Sequence, residues 1–215
     1  MMDPFRVDLP AFLSFSGGAT SGLMLRRVLD AFGGSAPEGL VVGFMNTGLE
    51  REETLTFVDA CADRWGVEIV WLERRSRAEP CVEVIHDTAS RNGEPFARLI
   101  EERRYLPNAV QRLCTAHLKV KVAEHYMLSL GHERWTNVVG LRRDEPRRVA
   151  RVRDRAEQFA HGLGLLRTEE RPVAVVLAAL RPGTLRSTSH NLNHRCLLQV
   201  PGLLFSVARI KYMGY

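Results

Sequence analysis

The chain has 215 residues, 45% hydrophobic and 26% charged, which excludes wholesale disorder, collagen-like repeats and coiled coil and fits one α/β domain. Lys and Arg number 30 against 25 Asp and Glu, a formal charge of +5 carried mostly by arginine; this mild excess suits an anionic partner, nucleotide or nucleic acid, without choosing one. No apolar run of about 18 residues reads as a membrane span, the N-terminus lacks a signal-peptide layout, and four scattered cysteines (Cys61, Cys81, Cys114, Cys196) without Cys-x-x-Cys point to a cytoplasmic protein with reduced thiols.

Residues 11–15 form a short apolar run and read as a strand. The small residues Ser16 to Ser21 read as a loop. Helical spacing follows over 23–32 (Leu23, Val28, Leu29, Phe32), and Gly33-Gly34 stops it. Residues 40–45 predict a second buried strand, followed by Asn46-Thr47-Gly48. The spacing predicts an amphipathic helix over 50–65, with Leu55, Val58, Ala62 and Trp65 on one face; its acidic start suits the positive end of the helix dipole. A third strand is expected over 67–72. Residues 74–95 are polar and broken by Pro80, Asn92-Gly93 and Pro95, so they read as a long loop or small insertion. Helices are expected over 96–104 and over 115–130, the second closed by Gly131, and a fourth strand over 136–141. Beyond residue 155, 173–180 is apolar enough for helix or strand, and 181–194 is polar without periodicity. The alternation of strand, loop and helix predicts an α/β fold, an open parallel sheet with helices on both faces.

Four segments carry candidate chemistry. Ser14-Phe15-Ser16-Gly17-Gly18-Ala19-Thr20-Ser21 lies between a strand and a helix. Glycines admit an anion to the backbone, free amides at the helix start point at it, and the hydroxyls add donors. The segment fits a phosphate cradle or a serine-capped turn; it lacks the Gly-Lys-Ser/Thr ending of a Walker loop. Asn46-Thr47-Gly48 follows the next strand, where ligands bind in open α/β sheets, or is an ordinary turn. Cys114-Thr115-Ala116-His117-Leu118-Lys119 opens a helix; there the dipole, Arg112 and Lys119 favour a thiolate suited to nucleophile or metal ligand, against a partly buried structural cysteine. Gly140-Leu141-Arg142-Arg143-Asp144-Glu145-Pro146-Arg147-Arg148 offers four arginines for a phosphate or sulfate clamp, or is a solvated basic loop. His190 and His194 stand four apart without a third metal ligand. Cys61 and Cys81 read as structural, and Trp65, Trp71 and Trp135 as core.

In this order the segments resemble the phosphoadenosine phosphosulfate (PAPS) reductase family of the PP-loop, or adenine nucleotide alpha-hydrolase-like, superfamily. Ser16 to Ser21 resembles the PP-loop, with Ala19-Thr20 where Lys-Asp is frequent. Asn46-Thr47-Gly48-Leu49-Glu50 with Glu53-Thr54 is similar to the second motif. Cys114-Thr115 with Leu118-Lys119 is similar to Cys-Thr-x-x-Leu-Lys, and Gly140-Leu141-Arg142 with Glu145 and Arg148 to the Gly-x-Arg-x-x-Glu loop. The likeness spans roughly residues 11–150 and extends to the short members often carried by phages and prophages. It implies a Rossmann-like nucleotide-binding domain over 1–155, with 156–215 a divergent C-terminal segment packed on or extending it. It implies an adenine nucleotide (PAPS, APS or ATP), with phosphate on Ser16, Gly17, Gly18, Thr20 and Ser21. Ser14, Asn46, Thr47 and Gly48 would border the adenosine. Lys119, Gly140, Arg142 and Arg143 would complete the binding set, the two arginines on the terminal phosphate or sulfate.

The tail departs from the family. The Glu-Cys-Gly-Leu-His-like ending of the reductases is absent, and of the terminal Cys-x-x-Cys found in many short relatives only Cys196 remains. Cys114 and Cys196 supply two thiolates against the four of a usual iron–sulfur cluster. Two activities follow from the resemblance, and the divergent tail motivates a third reading. One is sulfonucleotide reduction or sulfur transfer, with Cys114 or Cys196 as nucleophile and a thioredoxin-like reductant. The second is ATP pyrophosphatase chemistry with Mg²⁺, adenylating a small molecule or nucleobase. The third is nucleotide or nucleic-acid binding without catalysis.

Overall fold

The computed structural model describes residue 3, residues 5–104 and 113–142, and two later strands; for residues 141 and 142 and for those strands it describes the backbone alone. The elements are β1 (Ala11–Phe15), α1 (Ala19–Ala31), β2 (Leu40–Met45), α2 (Glu52–Trp65), β3 (Ile69–Glu73), β4 (Val82–Val84), α3 (Glu94–Arg103), α4 (Leu113–Thr115), a π-helical stretch (Ala116–Val120), α5 (Lys121–Ser129), β5 (Thr136–Arg142), β6 (Val173–Ala178) and β7 (Ser206–Ala208).

The described strands form one sheet in the order β4-β3-β2-β1-β5-β6-β7. From β3 to β6 neighbours run parallel, and β4 and β7 close the two edges antiparallel. The order reverses at β1. From it the chain works outward through β2 and β3, then crosses to β5 on the other side. Ligand crevices in open α/β sheets lie at such a switch point, outside the strands' carboxyl ends.

Side chains of β1 alternate between two cores, as the pleat requires. Ala11, Leu13 and Phe15 join Val42, Phe44, Ile69 and Trp71 beneath α1 (Met24, Leu25, Val28, Leu29) and α2 (Leu55, Val58, Cys61). Phe12 joins Met45, Leu72 and Trp135 beneath α5 (Val122, Ala123, Met127) on the opposite face. Helices therefore cover both faces, and the central strands read as continuous apolar runs because both faces are buried. Gly43 of β2 is needed for this packing: a Cβ there would lie 2.2 Å from the Phe12 ring.

Several boundaries differ from the sequence reading. The 74–95 segment is more than a loop, since Val82–Val84 pairs with β3 and α3 already starts at Glu94. Helix α1 starts at Ala19, inside the expected loop. The helix expected over 115–130 starts by Leu113 and passes through a π-helical stretch. Residues 173–178 are a strand. Trp71 and Trp135 are buried, whereas Trp65 is half-buried against the core.

Candidate functional site

Parallel strands send their following loops off one edge. Phe15 is level with Phe44, and Met45 with Leu72, so the turns after β1, β2 and β3 stand side by side.

The β1–α1 turn contains Ser16, Gly17 and Gly18. Gly17 is buried with φ +70°, and a Cβ there would meet Thr54 Cγ2 at 2.4 Å and Val58 Cγ2 at 3.1 Å. Only glycine combines that backbone with that proximity to α2. Ser21 braces the turn internally: its hydroxyl donates to the Gly18 carbonyl at 2.8 Å and accepts from Ser16 Oγ at 3.1 Å and the Gly18 N–H at 3.2 Å. The first intrahelical bond runs from the Gly22 N–H to the Gly18 carbonyl, so the amides before it have no helical acceptor. No acidic residue occupies the first turn. Ser16, Gly18 and Ala19 are exposed and Thr20 is half-buried. The positive end of α1 is thus left open beside the switch point, an arrangement that attracts an anion. Ser14, half-buried, is the penultimate residue of the same strand.

The turn after β2 is held by its own Asn46 and Glu50 and by Glu73 and Ser90, which the sequence analysis did not single out. Asn46 is buried; its Oδ1 accepts the Gly48 N–H at 3.1 Å, and its amide donates to Glu73 Oε1 at 2.7 Å and the Ser90 carbonyl at 2.9 Å. The fully buried Glu73 carboxylate also accepts the Ser90 N–H (2.7 Å) and Ser90 Oγ (2.8 Å), and pairs with Arg75 at 3.1 Å. Every lone pair that burial removes from water finds a donor, which is what a buried carboxylate requires. Glu50 accepts from the Thr47 N–H and Oγ1, both at 2.9 Å, and from the Leu49 N–H at 3.2 Å. Gly48 has φ +77°, and a Cβ there would lie 3.1 Å from the Gly93 backbone. A strand-terminal glutamate after an apolar run was the one local clue to Glu73; nothing local signals Ser90.

Cys114 is half-buried within α4, and Lys119 is half-buried in the π-helical stretch. His117 between them accepts a hydrogen bond at Nε2 from the Arg103 guanidinium at 3.0 Å. Burial, then the charges of Arg103, Lys121 and Arg74, hold its pKa below the ordinary histidine value. The other described thiols differ: burial pushes Cys61 up to about 11, and burial with the nearby Glu83 carboxylate does the same to Cys81. A thiol held protonated is a poor nucleophile, in keeping with structural roles for both. Among the described residues no group of three or more His, Cys, Asp or Glu side chains lies together as a metal set.

Gly140 lies in β5, and a Cβ there would approach Met24 Sδ of α1 at 3.3 Å, so its lack of a side chain lets the helix sit close. Arg142 ends β5, its backbone level with Ala178. Arg143, Cys196 and the arginines at 147 and 148 lie outside the described residues, as do His190 and His194.

The model of the phosphoadenosine phosphosulfate reductase domain matches residues 10–164, well over half of the chain. The chain belongs to that family, whose members are enzymes that bind an adenine nucleotide substrate. No individual curated protein matches it. Among the described residues no helix is long and apolar enough to cross a membrane.

Proposed function

We propose that this chain is a PAPS-reductase-like enzyme of sulfonucleotide reduction or sulfur transfer, and that residues 1–155 form its nucleotide-binding unit. The carrying observation is the open N-terminal end of α1: exposed Ser16 and Gly18, first-turn amides without a helical acceptor and no acidic residue, at the switch point of the sheet. In this reading the phosphate rests on Ser16, Gly17, Gly18, Thr20 and Ser21. Ser14 and the Asn46–Thr47–Gly48 turn flank the adenosine, and Lys119, Gly140, Arg142 and Arg143 complete the pocket around the terminal phosphate or sulfate.

The chemistry assigned to Cys114, with Cys196 as the other candidate, is attack of thiolate on the sulfonate sulfur. An S–S bond forms, the S–O bond to the phosphate breaks, and the nucleotide leaves with that electron pair. A dithiol reductant of the thioredoxin kind then attacks the cysteine sulfur of the resulting thiosulfonate. Its disulfide forms, sulfite leaves, and the cysteine returns as thiol. The cationic groups favour this step by stabilising the charge gathering on the leaving phosphate.

The test is a thermal-shift and calorimetric screen of PAPS, APS, ATP and AMP, since a ligand bound only by the native state raises its apparent stability. PAPS or APS should stabilise the chain more than AMP, and Ser16→Ala should weaken that effect. Sulfite release with a dithiol should be lost on alkylation of Cys114 and Cys196. Failure of all four nucleotides to bind overturns the proposal; turnover untouched by alkylation overturns the cysteine chemistry.

A further inference from the structure

A second feature lies on the β3 flank of the same edge. Arg74 and Arg77, just past β3, Arg103 at the end of α3, His117 of the π-helical stretch, and Lys121 and His125 of α5 line a cavity of about 160 Å³. Four fixed positive charges meet there, and no carboxylate is in the lining. Glu102, outside the lining, is engaged by the Arg74 Nη2 ion pair and accepts the Arg77 N–H at 3.0 Å. His117 is occupied as acceptor for Arg103.

Arg74 is the least ordinary member. Its side chain is only 7% exposed. Glu102 satisfies Nη2, but Nη1 is buried without a hydrogen-bond partner among the described residues. A buried charged donor with no acceptor is costly, and proteins rarely leave one so unless something else fills the role. Guanidinium groups present paired N–H donors that fit the oxygens of phosphate and sulfate. The cavity is large enough for such a group.

We infer that this cavity is a second oxyanion site, distinct from the β1–α1 turn, which takes a phosphate- or sulfate-type group against Arg74 with Arg77, Arg103 and Lys121 around it. β3 stands two strand positions from β1, roughly 10 Å away at the usual strand spacing, and the cavity shares no lining residue with the β1–α1 turn. The oxyanion is either a free inorganic ion or the terminal phosphate of a small substrate.

The experiment is titration of the full chain with sodium phosphate, sodium sulfate and glycerol phosphate at constant ionic strength, with chloride as control, read by calorimetry and by the NMR titration of His117. Phosphate and sulfate should bind saturably and raise the His117 pKa, because the anion offsets the Arg103, Lys121 and Arg74 charges that lower it; Glu102 already acts in that direction. Arg77→Gln and Lys121→Gln alter exposed residues and should each weaken binding about tenfold or more, the loss of one charge-assisted hydrogen bond. Arg74→Met should abolish it, and the two rim variants decide the matter if that protein fails to fold. Ser16→Ala, which alters the β1–α1 turn, should leave the His117 response intact. Tighter binding of glycerol phosphate assigns the site to a substrate-borne phosphate, and tighter binding of the inorganic ion to a free one. Absence of saturable binding, or binding that ignores both rim variants, overturns the inference.

Discussion

Gly17→Ala tests the architecture of the candidate phosphate turn directly. Gly17 has φ +70°, and the added methyl would sit 2.4 Å from Thr54 Cγ2, 3.1 Å from Val58 Cγ2 and 3.4 Å from the Phe44 ring. Two costs combine. Holding an L-residue in the left-handed region costs about 1–2 kcal/mol, and forcing a methyl into packed surroundings about 1–3 kcal/mol. Their sum, roughly 2–5 kcal/mol, corresponds to a Tm lower by roughly 4–20 °C for a chain of this size. The two parts are separable. Thr54→Ser removes only the methyl that clashes, so it should cost at most about 0.8 kcal/mol alone and should return the packing part in the double variant while leaving the backbone part. Urea denaturation of the four proteins forms the cycle. A Gly17→Ala effect within about 0.5 kcal/mol of zero, or a coupling no larger than that scatter, would refute the claim that the turn is fixed against α2.

Glu73→Ala should destabilise the chain by roughly 2–5 kcal/mol, because it orphans the buried Ser90 N–H, removes one acceptor from Asn46 and leaves Arg75 unpaired; Glu73→Gln keeps an acceptor oxygen and should cost less, and equal losses in denaturant titrations would contradict this account. Mass-spectrometric mapping after brief iodoacetamide treatment at pH 7 should find Cys114 modified before Cys61 and Cys81, whose thiols at about 11 are ionised only to about one part in ten thousand; the reverse order would argue against it. Burial and neighbouring cations lower the folded-state pKa of His117 below its ordinary value. Between the two values the unfolded chain therefore binds more protons. Stability should rise with pH through the window just below 6.5 and level off above it, and His117→Gln should remove that component from urea titrations run at pH 5 to 7.5.

The central strands were legible because their patterns are local. The apolar run ending at Phe15 and the run Leu40–Met45 gave the observed strand bounds, and Gly33-Gly34 ends α1 with positive φ at both glycines. The start of α1 was read four residues late, since Ala19, Thr20, Ser21 and Gly22 have no large apolar side chain to mark a face. The antiparallel strand at Val82–Val84 is three residues long beside Pro80, too short for an alternating pattern to register. A π-helical stretch has no compositional mark at all.

The candidate site divides along the same line. Its turns are built from residues close in the chain, so Ser16 to Ser21 and Asn46 to Gly48 announce themselves as small, polar and glycine-bearing. What fixes those turns comes from far away: Asn46 meets Glu73 across 27 positions and Ser90 across 44. The cationic cavity is still less local. Arg74 finds Glu102 at a separation of 28 and Arg103 finds His117 at 14, so four cations that the composition registers only as part of a +5 excess become a concentrated field once β3, α3 and α5 converge. Local fields of that kind, and not net charge, decide where an anion settles. A charge count therefore sets the expectation of an anionic partner, while the number of its binding places is decided by the sheet edge that gathers the arginines.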